Sequence, residues 1–400
     1  MILWAMPDSG DQTKEDYATL VALFKQENPS VDLTVRVFTR NILWRRIFTL
    51  KGPMHTEEVP DLVQIPHYWT ALLVKAGVAE NLSQLDPGLS LTSCLLPLKE
   101  NCYQPGTKDL YSYPWWFDIS ALHYRADHLK MVTDRPEEDL KTWEGLLAIC
   151  ASLRDKFRDV PGYYPMQNSD WRGSLSVRSA LPCMWSRGLN FFTQDRTASL
   201  VGTNEFKEAL RDYITLALND YMPILRERGS LGTMVSGKAS MMISRKQGIS
   251  TFGARRGGKV RTVPVPATGE QTCAYLSGMN LFINTASQHK QEALKFIKFC
   301  ARPDVQLKYA GMVEAFPAFE EPFEQFISSS PRLQTYKKIL ASAHTLPNMV
   351  IMGTVMEILK RVLAVCAEQI VENRFTQASL DRELDMTARE IDYLLSIYKG

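Results

Sequence analysis

The sequence predicts an α/β fold. Short apolar strands alternate with amphipathic helices from the first residues onward, and the alternation resumes after an aromatic segment, Tyr111 to Phe117. Such alternation builds a largely parallel sheet covered by helices on both faces. Four hundred residues, 45 % apolar and 22 % charged, suffice for two or three domains with cores of their own.

Met1 to Trp4 reads as a first short strand closed by a turn at Pro7-Asp8-Ser9-Gly10. Asp16 to Gln26 places Tyr17, Leu20, Val21, Leu23 and Phe24 at helical spacing, and Asn28-Pro29 ends the run. Val31 to Phe38 alternates apolar and polar residues as a strand does. Pro60 to Ile65 is a third strand, followed by a helix over Trp69 to Ala76 with Gly77 at its C-terminal cap. Past the aromatic segment, Leu122 to Tyr124 reads as a strand, and Thr142 to Phe157 as a helix with Thr142 as N-cap. Asn204 to Asn219 is a helix with Asn204 as N-cap, and Met241 to Ser244 a short buried strand. Val263 to Pro266 is extended, because a residue before proline is driven from helical geometry. Asn280 to Asn284 is a strand and Gln288 to Cys300 a helix stopped by Pro303. Two helical patterns, Val355 to Val371 and Leu380 to Ile397, close the chain.

Composition excludes several classes. No apolar run approaches the roughly 20 residues that span a bilayer. Forty-six basic against 44 acidic residues give a net charge of +2 without clustering, so no footprint for nucleic acid is present. The seven cysteines form no CxxC or CxxH spacing, which argues against structural zinc. Cys150, Cys300 and Cys366 sit in apolar helical runs as buried small hydrophobes, while Cys94 and Cys102 are a pair that an oxidising compartment could join. The N-terminus shows no basic segment leading into a 7- to 15-residue apolar stretch, so either the protein stays in the cytoplasm or a leader has been removed.

Enzyme motifs are missing. There is no GxSxG elbow, HExxH or GxGxxG fingerprint, and Gly232 to Lys238 only approximates a P-loop, with Ala239 where a Ser or Thr must hold Mg²⁺. Gly253 to Gly258 reads as a surface turn. The six histidines are dispersed, with no pair at i, i+4. No metal and no cofactor are expected. What stands out is aromatic residues beside polar ones where strands end: Trp4 before Asp8-Ser9, then His67-Tyr68-Trp69, Trp115-Trp116-Phe117-Asp118, and Asp170-Trp171-Arg172. In open α/β sheets ligands sit at the carboxyl ends of strands. Aromatic faces stack on a sugar ring while carboxylates, amides and arginines bond its hydroxyls.

The order of these segments resembles the extracellular solute-binding proteins of ABC importers, in the carbohydrate-binding group that includes maltose-binding protein. The matching pieces are LWAMPDSG with YATLVALFKQENPSVDLTVRV, VPDLVQIPHYWTALLVKAGVAENLSQL, LYSYPWWFDISALHYRADHL, LKTWEGLLAIC, MVSGKASMMIS, YLSGMNLFINTASQHKQEALKFIKFCARPDVQLKYA and SLDRELDMTAREIDYLL. The resemblance implies a two-lobed periplasmic-binding-protein fold with hinge crossovers and a helical C-terminus. Residues 1–115 and 280–315 would form the N-terminal lobe, and 116–279 and 316–400 the C-terminal one. Ligand-facing positions implied by it are Asp8, Ser9, His67, Tyr68, Trp69, Trp116, Asp118, Asp170, Trp171, Arg245, Gln247, Ser277 and Gly278. The implied function is capture of an oligosaccharide or related polyol by hinge closure and its delivery to membrane permease subunits. The protein would work as a monomer at the periplasmic or extracellular face, its signal peptide removed. Arg172, Arg245, Arg178 and Arg187 leave room for an acidic or phosphorylated ligand. Two alternatives remain: a sensing module that reports closure to a signalling partner, and a glycosidase using Asp118 and Asp170 as paired carboxylates.

Overall fold

The computed structural model describes residues 1–48, 50, 59–167, 175–224, 231–245 and 260–398. Its strands, in chain order, are β1 (Ile2–Ala5), β2 (Thr34–Val37), β3 (Leu62–Pro66), β4 (Tyr113–Arg125), β5 (Tyr164–Gln167), β6 (Ala239–Arg245), β7 (Val260–Val263), β8 (Ala274–Ile283), β9 (Phe316–Pro317) and β10 (Ala343–His344). The chain divides into two compact units. The first comprises Met1–Asp118, Leu276–Leu333 and Thr345–Met352, the second Ile119–Tyr275, Gln334–His344 and Gly353–Gly400.

In the first unit β1 lies between β2 and β3 and runs parallel to both, with Leu3 opposite Val35 and Leu62. β3 continues antiparallel to β8, Pro66 facing Met279. The helix Thr13–Glu27 buries Tyr17, Leu20 and Phe24 along one stripe. Phe24 meets Phe296 at 5.1 Å and Phe299 at 5.3 Å on the helix Lys290–Cys300. Each such buried ring contributes about 1.5–3 kcal/mol of transfer free energy.

In the second unit β6 is antiparallel to β4, Ala121 opposite Ser244, and parallel to β5, Met166 opposite Met241. The helix Trp143–Lys156 opens where expected, the Thr142 side chain accepting from the Gly145 amide at 3.1 Å. It buries Trp143, Leu146, Ile149, Cys150 and Leu153. The C-terminal helices are Met352–Val371 and Gln377–Ile397; the latter opens with reciprocal bonds between Thr376 and Ser379.

Several expectations are corrected. The sheet is mixed rather than largely parallel: the long strands β4 and β8 carry the chain from one unit to the other and run antiparallel to β6, β7, β9 and β3. The aromatic segment is itself part of β4. Thr203, not Asn204, caps the helix Asn204–Leu218, accepting from the Phe206 amide. Pro303 begins the helix Pro303–Met312, where a missing N–H costs nothing, instead of merely ending the previous one. The chain does not leave the first unit at Phe316, because Phe316 and Pro317 pair with Phe117 and Trp116; it leaves after Leu333 and returns for residues 345–352. Cys94 and Cys102 are buried free thiols, as are the other five cysteines. Near the P-loop look-alike a helix, Leu231–Ser236, precedes the strand, the reverse of what phosphate binding requires. The Gly253 to Gly258 turn lies outside the described residues. Among the described residues, no helix is long and apolar enough to cross a membrane and no metal-binding cluster occurs.

Candidate functional site

The carboxyl ends of β1, β2 and β3 lie side by side in the first unit, and the segments that follow β1 and β3 carry five of the expected residues: Asp8, Ser9, His67, Tyr68 and Trp69. Asp8, three residues beyond β1, is 7 % exposed. Its Oδ2 accepts from Gln64 Nε2 at 2.6 Å, Tyr309 OH at 2.8 Å, Trp116 Nε1 at 3.2 Å and Tyr17 OH at 3.3 Å. Burial pushes its carboxyl up to about 6, against the downward pull of those four donors. Asp8 and Trp116, expected as separate ligand contacts, are thus partners of each other. Ser9 turns its hydroxyl to Asp16 and Thr13, closing the start of the first helix.

A second group stands beside the chain crossings. His67, fully buried just after β3, sets Nδ1 against the Gly278 amide at 2.8 Å and the Gly278 carbonyl at 3.0 Å, with Nε2 facing Thr345 Oγ1. A Cβ at Gly278 would lie 3.0 Å from Leu98 Cδ2 and 3.3 Å from the Trp116 carbonyl, so a side chain there would make these neighbours give by a few tenths of an ångström. Ser277 donates to Asp118 Oδ1 at 2.8 Å. Asp118 is the last residue of the first unit on β4, and Ser277 the second after the chain returns on β8. These residues tie together the strands on which the chain changes unit.

The third group was not foreseen. Arg40, Trp44 and Phe48 follow one another at i, i+4 and i+8 along the helix Arg40–Ile47 and its C-terminal cap. That spacing stacks them on one face. Arg40 donates to the Tyr68 hydroxyl, and its guanidinium lies 5.6 Å from the Tyr68 ring centre and 5.3 Å from that of Trp69. Trp44 meets Trp69 at 4.6 Å and Phe48 at 5.0 Å. Tyr68 and Trp69 are buried beneath this ladder, whereas Phe48 is 50 % exposed. Alongside, Arg46 covers Phe38 at 4.6 Å and Trp4 at 5.7 Å. The spacing R-x₃-W-x₃-F was visible in the sequence; its meeting with Tyr68 and Trp69 was not.

In the second unit Arg245 ends β6, opposite Ser120. Gln167, at the carboxyl end of β5, is buried and accepts from Thr233 Oγ1 at 2.8 Å. Asp170, Trp171 and Gln247 lie outside the described residues, as does Arg172.

The profile of the family described as bacterial extracellular solute-binding protein matches residues 19–336. The chain belongs to that family. No curated protein matches this solute-binding protein by sequence. Solved structures do. The sugar-binding protein MalE from Xanthomonas citri superposes with a TM-score of 0.79 at 18 % identity, over 98 % of this chain and 97 % of its own. The GacH receptor of Streptomyces glaucescens, studied unliganded and with acarbose, gives 0.82 at 17 % identity over 98 % of each chain. The maltotriose-binding protein of Thermus thermophilus gives 0.78 at 17 %, over 99 % of this chain and all of its own. These likenesses establish the two-lobed fold of periplasmic binding proteins, and family membership places the solute-binding protein on the outer side of the cell membrane.

Proposed function

We propose that this solute-binding protein captures a carbohydrate, an oligosaccharide or related polyol, and hands it to the permease subunits of an ABC importer. The observation that carries the reading is the ladder of Arg40, Trp44 and Phe48 over Tyr68 and Trp69. It places aromatic faces and a hydrogen-bond fork together at the carboxyl ends of β2 and β3, where this class of sheet receives ligands. The sugar-binding names of the similar structures support it. Closure of the two units on the ligand supplies the mechanism: the closed state gains by its additional contacts, and the equilibrium moves only as far as those contacts differ between states. His67, Gly278, Asp118 and Ser277 serve this motion by holding the crossing strands, rather than by touching ligand. The reading includes no covalent step, one polypeptide suffices, and nucleic acid has no part in it.

A thermal-shift screen of purified, ligand-stripped protein against mono-, di- and oligosaccharides, polyols, amino acids and peptides tests this. A ligand at about 100 times its dissociation constant adds roughly 2.7 kcal/mol to stability. A rise with one saccharide class is expected; a rise only with amino acids or peptides overturns the carbohydrate assignment.

A further inference from the structure

We infer that the saccharide bound at this surface carries an anionic group, a carboxylate or a phosphate, and that Arg40 receives it. The inference rests on the carbohydrate reading and narrows its substrate class. The first reason is the company Arg40 keeps. Several other half-buried arginines are matched with carboxylates: Arg125 with Asp127, Arg154 with Asp220, Arg187 with Asp212. Even exposed Arg302, Arg361 and Arg374 have Asp304, Glu390 and Glu372. Among the described residues Arg40 has no carboxylate. Its partners are the Tyr68 hydroxyl and two ring faces. A guanidinium carries five N–H donors in a planar fork suited to bidentate contact with carboxylate or phosphate. One phenol leaves most of that fork unengaged.

The second reason is that the fork is held in place. Arg40 follows Thr39 directly into its helix, just past the carboxyl end of β2, and reaches the turn after β3. Packing against Tyr68 and Trp69 restricts the side chain before any ligand arrives, which reduces the ordering cost on binding. Asp8, the buried carboxylate after β1, is engaged elsewhere, its Oδ2 accepting from four donors of its own. The third reason is the neighbouring surface. Trp44 and the half-exposed Phe48 continue the same helix face, so a sugar ring stacked there would hold its acidic substituent within reach of Arg40. An aromatic shelf without the arginine would suit a neutral sugar; an arginine without the shelf would suit a free anion. Together they describe an acidic saccharide.

Calorimetric titration of the full chain tests this with matched ligand sets: neutral oligosaccharides, uronic-acid oligomers of the same lengths, sugar phosphates, and inorganic phosphate alone. The uronate and sugar-phosphate arms separate the two sources of negative charge. Binding of one anionic class at least about ten-fold tighter than its neutral counterparts is expected, the preference disappearing in Arg40→Gln and returning in part in Arg40→Lys. Neutral sugars binding as tightly as acidic ones would overturn the inference while leaving carbohydrate capture intact, and so would an acid preference that survives Arg40→Gln in protein shown to be folded. Inorganic phosphate binding as tightly as any sugar phosphate overturns the saccharide part. Absence of binding by every saccharide, with amino acids or peptides binding instead, overturns both readings. Should Arg40→Gln fail to fold, the wild-type preference and its weakening with added salt decide the matter alone.

Discussion

Two clusters of rings and charge stand at the carboxyl ends of the same three strands, and they are built to opposite ends. Around Asp8 every element turns inward: Gln64, Tyr17, Trp116 and Tyr309 all donate to one carboxylate oxygen, and Trp116 is 3 % exposed. Around Arg40 the rings are layered from buried Tyr68 and Trp69 outward to Phe48, half of which meets solvent, and the guanidinium has a phenol where a carboxylate would be usual. By residue type the first cluster looks the better sugar site. The difference teaches that strand-end position and composition only nominate candidates; what sorts them is whether their donors and acceptors are already spent on one another.

The sharpest way to break this comparison is Trp116→Ala. If the Asp8 cluster is a fastening of the first unit, deleting the indole removes a buried ring and one of the donors that a buried carboxylate depends on. A loss of about 3–5 kcal/mol is then expected in urea denaturation. Undiminished stability with weakened ligand binding would instead make Trp116 a contact of the kind the sequence implied.

Asp8→Asn gives a somewhat smaller effect with a pH signature. The Asp8 carboxyl lies at about 6 in the folded protein, above the ordinary 3.8. Between those values the native state binds more protons than the unfolded chain, so this group's contribution is fully present below 3.8 and lost as pH rises through 6. About two pKa units correspond to roughly 3 kcal/mol. Wild-type stability measured against Asp8→Asn is therefore expected to fall by about 2–3 kcal/mol from pH 4 to pH 7. A gap constant over that range would mean that Asp8 ionises as an ordinary surface carboxylate does and that the cluster is open.

Much of the framework was legible because it is written locally. Tyr17, Leu20 and Phe24 announce their helix by spacing, Thr142 its N-cap by position, and the run Met241 to Ser244 its strand by apolar continuity. Asp8, His67, Trp116, Asp118 and Ser277 were singled out as ligand-facing positions, and they lie at strand ends or crossings. Their roles were not legible, because each is defined by partners far away in sequence: Tyr309 lies 301 residues from Asp8, Thr345 lies 278 from His67, and Ser277 lies 159 from Asp118. No local pattern reports that a donor from another segment has already saturated an acceptor. The Arg40 ladder failed in the other direction. Its i, i+4, i+8 spacing was in plain view, but a short helix with mixed arginines and rings carries no meaning until Tyr68 and Trp69 are brought beneath it.

The smallest expected effect sharpens the comparison most, because it separates folding from binding. Trp44 is only partly buried, and it touches Trp69 and Phe48 at the rim of the ladder. Its loss leaves no closed cavity for the unit to tolerate and no polar partner stranded. Trp44→Ala is accordingly expected to leave the unfolding free energy within about 0.5–1 kcal/mol of wild type, while weakening saccharide binding by about 1 kcal/mol, some five- to ten-fold in dissociation constant, from the lost stacking face. Trp116→Ala should show the reverse ranking, large in stability and secondary in affinity. If instead both variants lose stability in the same proportion as affinity, the ladder is as structural as the Asp8 cluster, and the ligand must be sought on the second unit, at Arg245 and the carboxyl ends of β5 and β6.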